Sequence, residues 1–454
     1  MRTRINKPKT NKPKLNNYEL ASIMLVVYMI VINNVKNGIL GLLAIVFSLF
    51  FILKPIYILP PLFVASLLGE FFVAFSGIGL SRIFVFVFLA GSVLTSLRDK
   101  TKFEPKHVMM CIALCTFNII SSAFSLTGMI EPAIAMDLNI VVLFFIFYSD
   151  VNDIKSYIKA MSICLVILSL YVMYMVVSGT AMTVVDRGVS RIVLNDLVNP
   201  NQLGLALAQV AAFLFGMIIV VKGKYYKAFL FLVLIITIIN LILTGSRSSA
   251  VAVVASVLIV VIINLFKRSN SDSRKSSPKK LIIVIVLLIL PCIYFILVNS
   301  ELEVMTRYSV DSVTEYGGTG RLVIWDSILR YILPENFLFG VGFGGANIIA
   351  ALEPLIGFNH GTHNILVTML GQLGIVGTFI YVTFFIKTTA KITKKYMTID
   401  YLGIPLTMIL AALFNGIGED IFSSRFLWID IGFAFMIIRN YKQNKSKIDS
   451  KNNI

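Results

Sequence analysis

Long runs of apolar residues, separated by short polar segments, recur along almost the whole chain. Each run is close to the ~20 residues that an α-helix needs to cross the hydrocarbon core of a bilayer. The ~10-residue alternating segments of a transmembrane β-barrel do not appear. The pattern predicts an all-α, polytopic integral membrane helical bundle of about 12–14 spanning helices. The predicted spans are 20–34, 38–53, 57–75, 80–97, 107–127, 133–148, 157–178, 201–221, 227–243, 247–266, 281–298, 363–386, 400–417 and 424–438.

The polar segments divide the chain into five regions. A basic N-terminus (1–19) precedes a transmembrane bundle that holds the first eleven spans (20–298). The last three spans (363–438) precede a basic tail (439–454). Between the two sets of spans lies the segment 299–362, which is too long for a simple connector.

Segment 299–362 has structural signals of its own. Apolar residues recur at helical spacing over 322–332, which predicts a short amphipathic helix on the membrane or packed over the bundle. Four glycines follow within 340–345, and glycine permits a tight backbone path with positive φ. We therefore expect this segment to be a large extracytoplasmic loop that contains short helices.

Composition and charge agree with this interpretation. The chain is 57% hydrophobic and 14% charged, against about 45–50% apolar and about 25% charged in soluble proteins. With the N-terminus placed inside, alternation puts the segments rich in Lys and Arg on the cytoplasmic side, as the positive-inside rule requires. Both termini are then cytoplasmic. The net charge of +17 is explained by these segments, and no basic patch interleaved with aromatics indicates nucleic-acid binding.

Four residues on the predicted outer face form the candidate site: Arg191, Arg247, Arg321 and His363. Arginine stays charged, and its planar fork matches phosphate oxygens. Histidine titrates near neutral pH and can accept a hydroxyl proton. The alternatives remain open: each arginine could be solvated or in contact with lipid headgroups, and the histidine could be structural. Together the four residues favour transfer from a pyrophosphate-activated donor, with positive charge stabilising the leaving group.

Other signals bear on metals, cofactors and helix ends. His360 and His363 are three residues apart, but no acidic or cysteine ligand completes a metal site, and no nucleotide-binding motif occurs. We therefore expect no metal and no cofactor. Asn199 is expected to cap a helix that begins at Pro200. Glu419, Asp420 and Arg425 share the last outer turn, where an ion pair that holds the bundle is the expected arrangement.

The ordered motifs resemble the O-antigen ligase and polymerase superfamily of bacterial envelope enzymes. The resemblance covers roughly residues 185–390. It rests on Asn199-Pro200-Asn201, Thr244-Gly245-Ser246-Arg247, Gly320-Arg321 with Trp325, the glycines of 340–345, His363-Asn364 and Gly371-Gln372-Leu373-Gly374-Ile375-Val376-Gly377. It implies a multi-pass glycosyltransferase of the bacterial cytoplasmic (inner) membrane. Arg247 and Arg321 would bind pyrophosphate and His363 would be the base, with Arg191 a looser match.

The resemblance also implies a donor and partners. Such enzymes use glycans carried on undecaprenyl pyrophosphate and need neither a nucleotide sugar nor an essential metal. Membrane lipid is the other partner class, and a flippase and a chain-length regulator are further candidates. A polymerase that builds O-antigen, capsule or exopolysaccharide is our preferred expectation, and a ligase that moves finished glycan to a lipid core or another acceptor is the alternative. Two alternatives come from other classes of protein. A glycolipid transporter would need inverted repeats with broken spans. A membrane sensor without catalysis would have no evident use for the outer arginines and histidine.

Overall fold

A computed structural model describes residues 15–35, 38–75, 78–186, 189–195, 198–269, 320–357 and 361–452. The predicted span 281–298 and His360 lie outside the described residues. Within the described residues, nine helices are long and apolar enough to cross a membrane, and the strands form two short hairpins. The predicted all-α, polytopic membrane class is therefore confirmed.

The elements follow the apolar runs. The helices before the long loop are α1 Asn17–Val35, α2 Gly38–Leu49, α3 Leu59–Leu67, α4 Leu80–Arg98, α5 Pro105–Ala123, α6 Glu131–Tyr148, α7 Ile154–Val177, α8 Pro200–Val220, α9 Lys224–Leu243 and α10 Arg247–Ser269. The later helices are α11 Arg321–Ser327, α12 Leu333–Glu335, α13 Gly345–Ile356, α14 Ile365–Tyr396, α15 Gly403–Asn415 and α16 Arg425–Asn452. The strands are β1 Val73–Phe75, β2 Ile78–Gly79, β3 Met182–Asp186 and β4 Val189–Val193.

One predicted span is wrong in its extent. The apolar run 57–75 was expected to be a single helix, but α3 ends at Leu67. Gly69 follows with a φ of +58°, a conformation that favours glycine and ends a helix. The chain then enters the antiparallel β1–β2 hairpin. Apolarity alone does not distinguish a full span from a short helix that is followed by a turn and a hairpin.

The segment 179–200, which is predicted to lie on the outer side, contains a hairpin that the sequence pattern did not predict. β3 and β4 pair antiparallel, with Met182 opposite Val193 and Asp186 opposite Val189. The hairpin leads directly into α8, whose first turn is capped as predicted: the Asn199 side chain accepts a hydrogen bond from Asn201 N at 2.8 Å, and Pro200 begins the helix. The hairpin thereby positions Arg191 beside the start of α8.

Helix α8 lies at the centre of the bundle, because small residues let neighbouring helices approach it closely. It contacts α9, α10 and α15. A Cβ built on Gly216 would lie 2.6 Å from Ile404 Cα of α15, and one on Gly204 would lie 2.4 Å from Ser246 Cβ. Close contacts between small residues are a common means of helix association in membranes.

The long helix α14 is interrupted at Gly374, whose φ of 61° and ψ of −164° are not helical. Segment 337–342 of the long loop docks against this break. Ile375 N donates to Phe337 O at 2.9 Å, and Val341 N donates to Gly371 O at 2.9 Å. Gly340, Gly342 and Gly344 all have positive φ, as the glycine cluster predicted. The backbone of the loop therefore supplies hydrogen bonds at the place where the helix breaks. These bonds are needed because unpaired backbone groups are costly in an apolar layer.

Candidate functional site

His363 occupies the turn that immediately precedes α14. Its φ of 48° is unusual for a residue other than glycine and marks a conformation that the surroundings must hold in place. The next residue, Asn364, caps α14 by accepting hydrogen bonds from Leu366 N and Val367 N at 2.9 and 3.1 Å. The cap fixes the helix start, and the half-exposed imidazole projects beside it.

Arg321 is the first residue of α11 and follows Gly320, which has a φ of 79°. The predicted amphipathic helix exists: α11 continues through a π-helical turn over Ile328–Ile332 and buries Ile324 and Ile328. Trp325 Nε1 donates to Thr362 O at 2.7 Å. This bond ties the helix that carries Arg321 to the residue immediately before His363.

Glu419 joins the histidine and the arginine. His363 Nδ1 lies 2.9 Å from Glu419 Oε2, and Arg321 Nη2 lies 3.3 Å from Glu419 Oε1. The Glu419 side chain is only 14% exposed, against 35% for His363 and 25% for Arg321. One carboxylate in partly buried surroundings thus orients both residues. We call these three side chains the outer triad, after the orientation that the sequence predicts for them.

The expectation of an ion pair among Glu419, Asp420 and Arg425 is wrong in its partners. Arg425 Nε donates instead to Asn139 Oδ1 on α6, at 3.1 Å. Arg425 begins α16, and this places its side chain toward α6, with which α16 packs. Glu419 precedes α16 by several residues and points toward the long loop, whose fold the pattern of charges along the chain did not reveal.

The turn that carries Glu419 is held from two sides. Ile365 N donates to Gly416 O at 2.7 Å, and Asn364 Nδ2 donates to Ile417 O at 3.1 Å. A Cβ built on Gly418 would lie 2.5 Å from Ser248 Cβ and 3.6 Å from Arg321 Nη1. Gly418 therefore allows the start of α10 and the arginine to approach the same turn.

Arg247 is the first residue of α10 and is half-buried. The preceding Gly245 has a φ of 63°, which turns the chain sharply between α9 and α10. Buried hydroxyls link this helix start to the Glu419 turn: Ser246 Oγ donates to Ser249 Oγ at 2.9 Å, and Asn415 Nδ2 donates to Ser249 Oγ at 2.7 Å. Arg247 thus lies on the same end of the bundle as the outer triad, next to the Ser248 that meets Gly418.

Arg191 lies on β4 and is almost fully buried, at 3% exposure. Its Nε donates to Thr244 O at 2.8 Å and its Nη2 donates to Asn201 Oδ1 at 2.5 Å. The side chain therefore bridges the β3–β4 hairpin, the end of α9 and the start of α8.

Asp420 adds a second carboxyl next to Glu419. The residue is exposed, yet protein surrounds its carboxyl closely enough that desolvation raises its pKa to about 6. Phe422 N donates to Asp420 Oδ1 at 3.2 Å, which offsets part of that rise. Asp420 thus places a second carboxyl, with a raised pKa, next to the triad in the chain.

The structure brings Arg321 and His363 together through Glu419, and Arg247 is the neighbour in the chain of Ser248, which meets Gly418 in the same turn. Arg191 lies deeper in the protein. The sequence pattern did not predict the role of Glu419. Its position, as an acidic residue in a predicted outer turn with few other charges, was a signal that could have indicated that role. Among the described residues, no group of three or more His, Cys, Asp or Glu side chains has the arrangement of a metal site.

Residues 232–382 match the family model described as O-Antigen ligase. The match begins within α9, ends within α14, and includes Arg247, Arg321 and His363, while Arg191 and Glu419 fall outside it. No curated protein matches the chain. The family match lies inside the 185–390 region where the motifs resemble these enzymes. Together with the polytopic helical fold, it supports the resemblance to the O-antigen ligase/polymerase superfamily.

Proposed function

We propose that this membrane protein polymerises oligosaccharide repeat units carried on undecaprenyl pyrophosphate, by glycosyl transfer at the outer face of the bacterial cytoplasmic membrane. The superfamily supports a ligase- or polymerase-type activity in general. The observation that carries the proposal for the site is the outer triad, in which one carboxylate contacts both a histidine and an arginine. Both termini would then lie in the cytoplasm, with the basic segments.

His363 would act as the general base. An ionised Glu419 carboxylate can only accept hydrogen bonds, so at 2.9 Å it favours the tautomer in which His363 Nδ1 carries the proton. The other ring nitrogen, Nε2, is then free to accept the proton of an acceptor sugar hydroxyl. The oxygen of that hydroxyl would form a bond to the anomeric carbon of the donor glycan.

Arg321 would stabilise the leaving group. As the bond from the anomeric carbon to the pyrophosphate oxygen breaks, that oxygen takes the electron pair and negative charge accumulates on the carrier. Arg321 uses Nη2 to contact Glu419, while its Nε is buried and has no hydrogen-bond partner among the residues that the structure describes. The side chain as a whole is 25% exposed, so a phosphate oxygen can approach its accessible nitrogen atoms and receive charge-assisted hydrogen bonds.

Arg247 and Arg191 would have different tasks. Arg247 begins α10 after a glycine-containing turn, where free backbone N–H groups and the helix dipole attract anions. We assign it a contact with the pyrophosphate. Arg191 already donates to Thr244 O and Asn201 Oδ1, so we propose that it supports pyrophosphate binding by fixing the turn that precedes Arg247.

A ligase reaction is the second candidate, and the description of the matching family as O-Antigen ligase favours it. The bond changes at the donor are the same in both reactions. The acceptor differs: a polymerase uses the sugar of another carrier-linked glycan, whereas a ligase uses a lipid core or another surface molecule. In the polymerase case, a flippase that supplies repeat units and a chain-length regulator are the proposed partners.

A complemented deletion strain tests both the chemistry and the acceptor. Wild type and His363→Asn would be expressed from the same vector, and surface and carrier-linked glycans would be resolved by size. Asparagine tolerates positive φ better than alanine does, so it limits backbone strain while removing the base. Single repeat units in place of a ladder support the polymerase, and long glycans stranded on the carrier support the ligase. A wild-type glycan profile in His363→Asn, at equal protein level, would refute the base role.

A further inference from the structure

A groove of about 390 Å³ opens at the end of the bundle opposite His363. It lies between α5, α6, α14 and α16, and its walls are apolar. Leu143 and Phe147 line one side, and Phe384 and Trp428 line another. The rings of Phe384 and Trp428 stack with centroids 5.7 Å apart, which makes that wall flat and rigid. The outer triad uses none of these residues.

The groove is about one leaflet deep. On α14 its lining runs from Ile380 to Lys391, which spans about 16 Å at the helical rise of ~1.5 Å per residue. That is about half of the ~30 Å hydrocarbon core. A polar chain crosses the bundle at its closed end: Tyr381 Oη donates to Asn118 Oδ1 at 2.7 Å, and Asn118 Nδ2 donates to Asp137 Oδ1 at 2.7 Å. This chain joins α14, α5 and α6 next to Leu114, Ile140 and Ile380, where the apolar lining of the groove ends.

Two exposed lysines, Lys387 and Lys391, stand at the mouth of the groove. Within the part of the chain that the structure describes, neither has an acidic side chain within ion-pair distance. Lys391 Nζ lies 5.0 Å from the centroid of the Phe435 ring, at the edge of the apolar wall. The nearby carboxylate of Glu104 already pairs with Lys106 at 2.7 Å. The mouth therefore carries positive charge above an apolar channel.

We propose that this groove binds an anionic phospholipid from the leaflet opposite the candidate catalytic site. One acyl chain would occupy the apolar channel beside Trp428, and the headgroup phosphate would contact Lys387 and Lys391. A spanning helix of another protein fits poorly, because it needs the full ~30 Å core and a width of about 10–12 Å. The site is independent of glycosyl transfer and requires no residue of the outer triad.

The two tryptophans of the chain allow a direct test. Trp325→Phe leaves Trp428 as the single fluorophore in the full-length protein, reconstituted in nanodiscs that contain small amounts of a phospholipid with brominated acyl chains. Bromine quenches tryptophan fluorescence at short range. Trp428 is fully buried, so efficient quenching requires a brominated chain inside the groove rather than general contact with the bilayer.

We expect brominated phosphatidylglycerol to quench Trp428 at lower mole fraction than brominated phosphatidylcholine. Lys387→Gln and Lys391→Gln should each weaken that preference about fivefold, since a basic residue near a membrane surface contributes ~1 kcal/mol toward an anionic lipid. Lys394→Gln is the matched control. Lys394 is exposed on the same helix but lines a different groove, with Leu366 and Ile386, so this change should leave the preference unaltered.

Three results would overturn the proposal. Equal quenching by the two lipids would mean that charge does not select the occupant. Absence of quenching by both would mean that protein closes or fills the groove. An equal effect of Lys394→Gln and Lys387→Gln would mean that general surface charge, rather than the mouth of the groove, attracts the lipid. Both substituted lysines are exposed, so the variants are expected to fold, and circular dichroism verifies it.

Discussion

Replacing Glu419 with glutamine exchanges one carboxylate oxygen at the centre of the outer triad for an amide NH2 group. The side chain keeps its shape and its 14% exposure, but it loses its negative charge. An amide group can donate to His363 Nδ1, which a carboxylate cannot do. The exchange then favours the opposite tautomer, in which Nε2 carries the proton and cannot accept one from a sugar hydroxyl.

The expected magnitude follows from the role of the base. General-base catalysis typically contributes about 10²–10⁴-fold, so we expect kcat to fall by about that factor in Glu419→Gln. The contact between Arg321 Nη2 and Glu419 Oε1, at 3.3 Å, also loses its charge. Leaving a partly buried charged group with a weaker partner costs about 1–3 kcal/mol of stability, which a thermal melt of the purified protein would detect.

The assay uses purified protein in nanodiscs with a synthetic, carrier-linked repeat unit, and product length is measured over time. Glu353→Gln is the control, because Glu353 is an exposed carboxylate on α13, within the same long loop. A defect in positioning His363 should lower kcat and leave KM nearly unchanged. If Glu419→Gln reacts at the rate of Glu353→Gln, or if KM alone rises, the tautomer argument is refuted.

Three further predictions concern neighbouring residues. Arg321→Lys keeps the positive charge but loses the planar fork, so kcat/KM should fall about 10–100-fold; full activity in a carrier-linked transfer assay would contradict a pyrophosphate contact. Gly418→Ala would bring its Cβ to 2.5 Å from Ser248 Cβ and should lower both the melting temperature and activity, whereas Gly361→Ala, with no atom within 4 Å of the new Cβ, should leave both unchanged. A native pKa of about 6 for Asp420 lies above its unfolded value, so the native state binds the extra proton and its stability falls as pH rises through that window. Asp420→Asn should therefore melt at a higher temperature than wild type above about pH 6 and at the same temperature below about pH 4, and a constant difference at all pH values would contradict this.

The helices could be predicted well, because lipid requires nearly every spanning segment to be both long and apolar. The exceptions have local causes. The run 57–75 is apolar except at Ser66 and Glu70, but its helix ends at Leu67, and Gly69 then turns the chain toward the β1–β2 hairpin. The β3–β4 hairpin lies outside the apolar runs, where hydrophobicity, the main signal used to predict the helices, gives little information.

The candidate site was predictable only in part. Arg321 and His363 were recognisable because charged and titratable residues are rare in so apolar a chain. Glu419 was placed with Arg425, its neighbour along the chain, because sequence proximity was the available guide to pairing. The pairing depends instead on how the long loop folds back over the bundle, and that requires contacts between segments almost a hundred residues apart. The burial of Arg191 likewise follows from the unpredicted hairpin.

The break in α14 has a consequence for exchanging parts between enzymes of this superfamily. Loop backbone from 337–342 and helix backbone from 371–376 share hydrogen bonds across the break, and a Cβ on Gly374 would lie 2.5 Å from Leu338 O. The long loop is therefore not a module that can be grafted alone onto another bundle. A chimaera that is designed to change substrate specificity must exchange the loop and the middle of α14 together, because the two segments hold each other's backbone although they are separate in the chain.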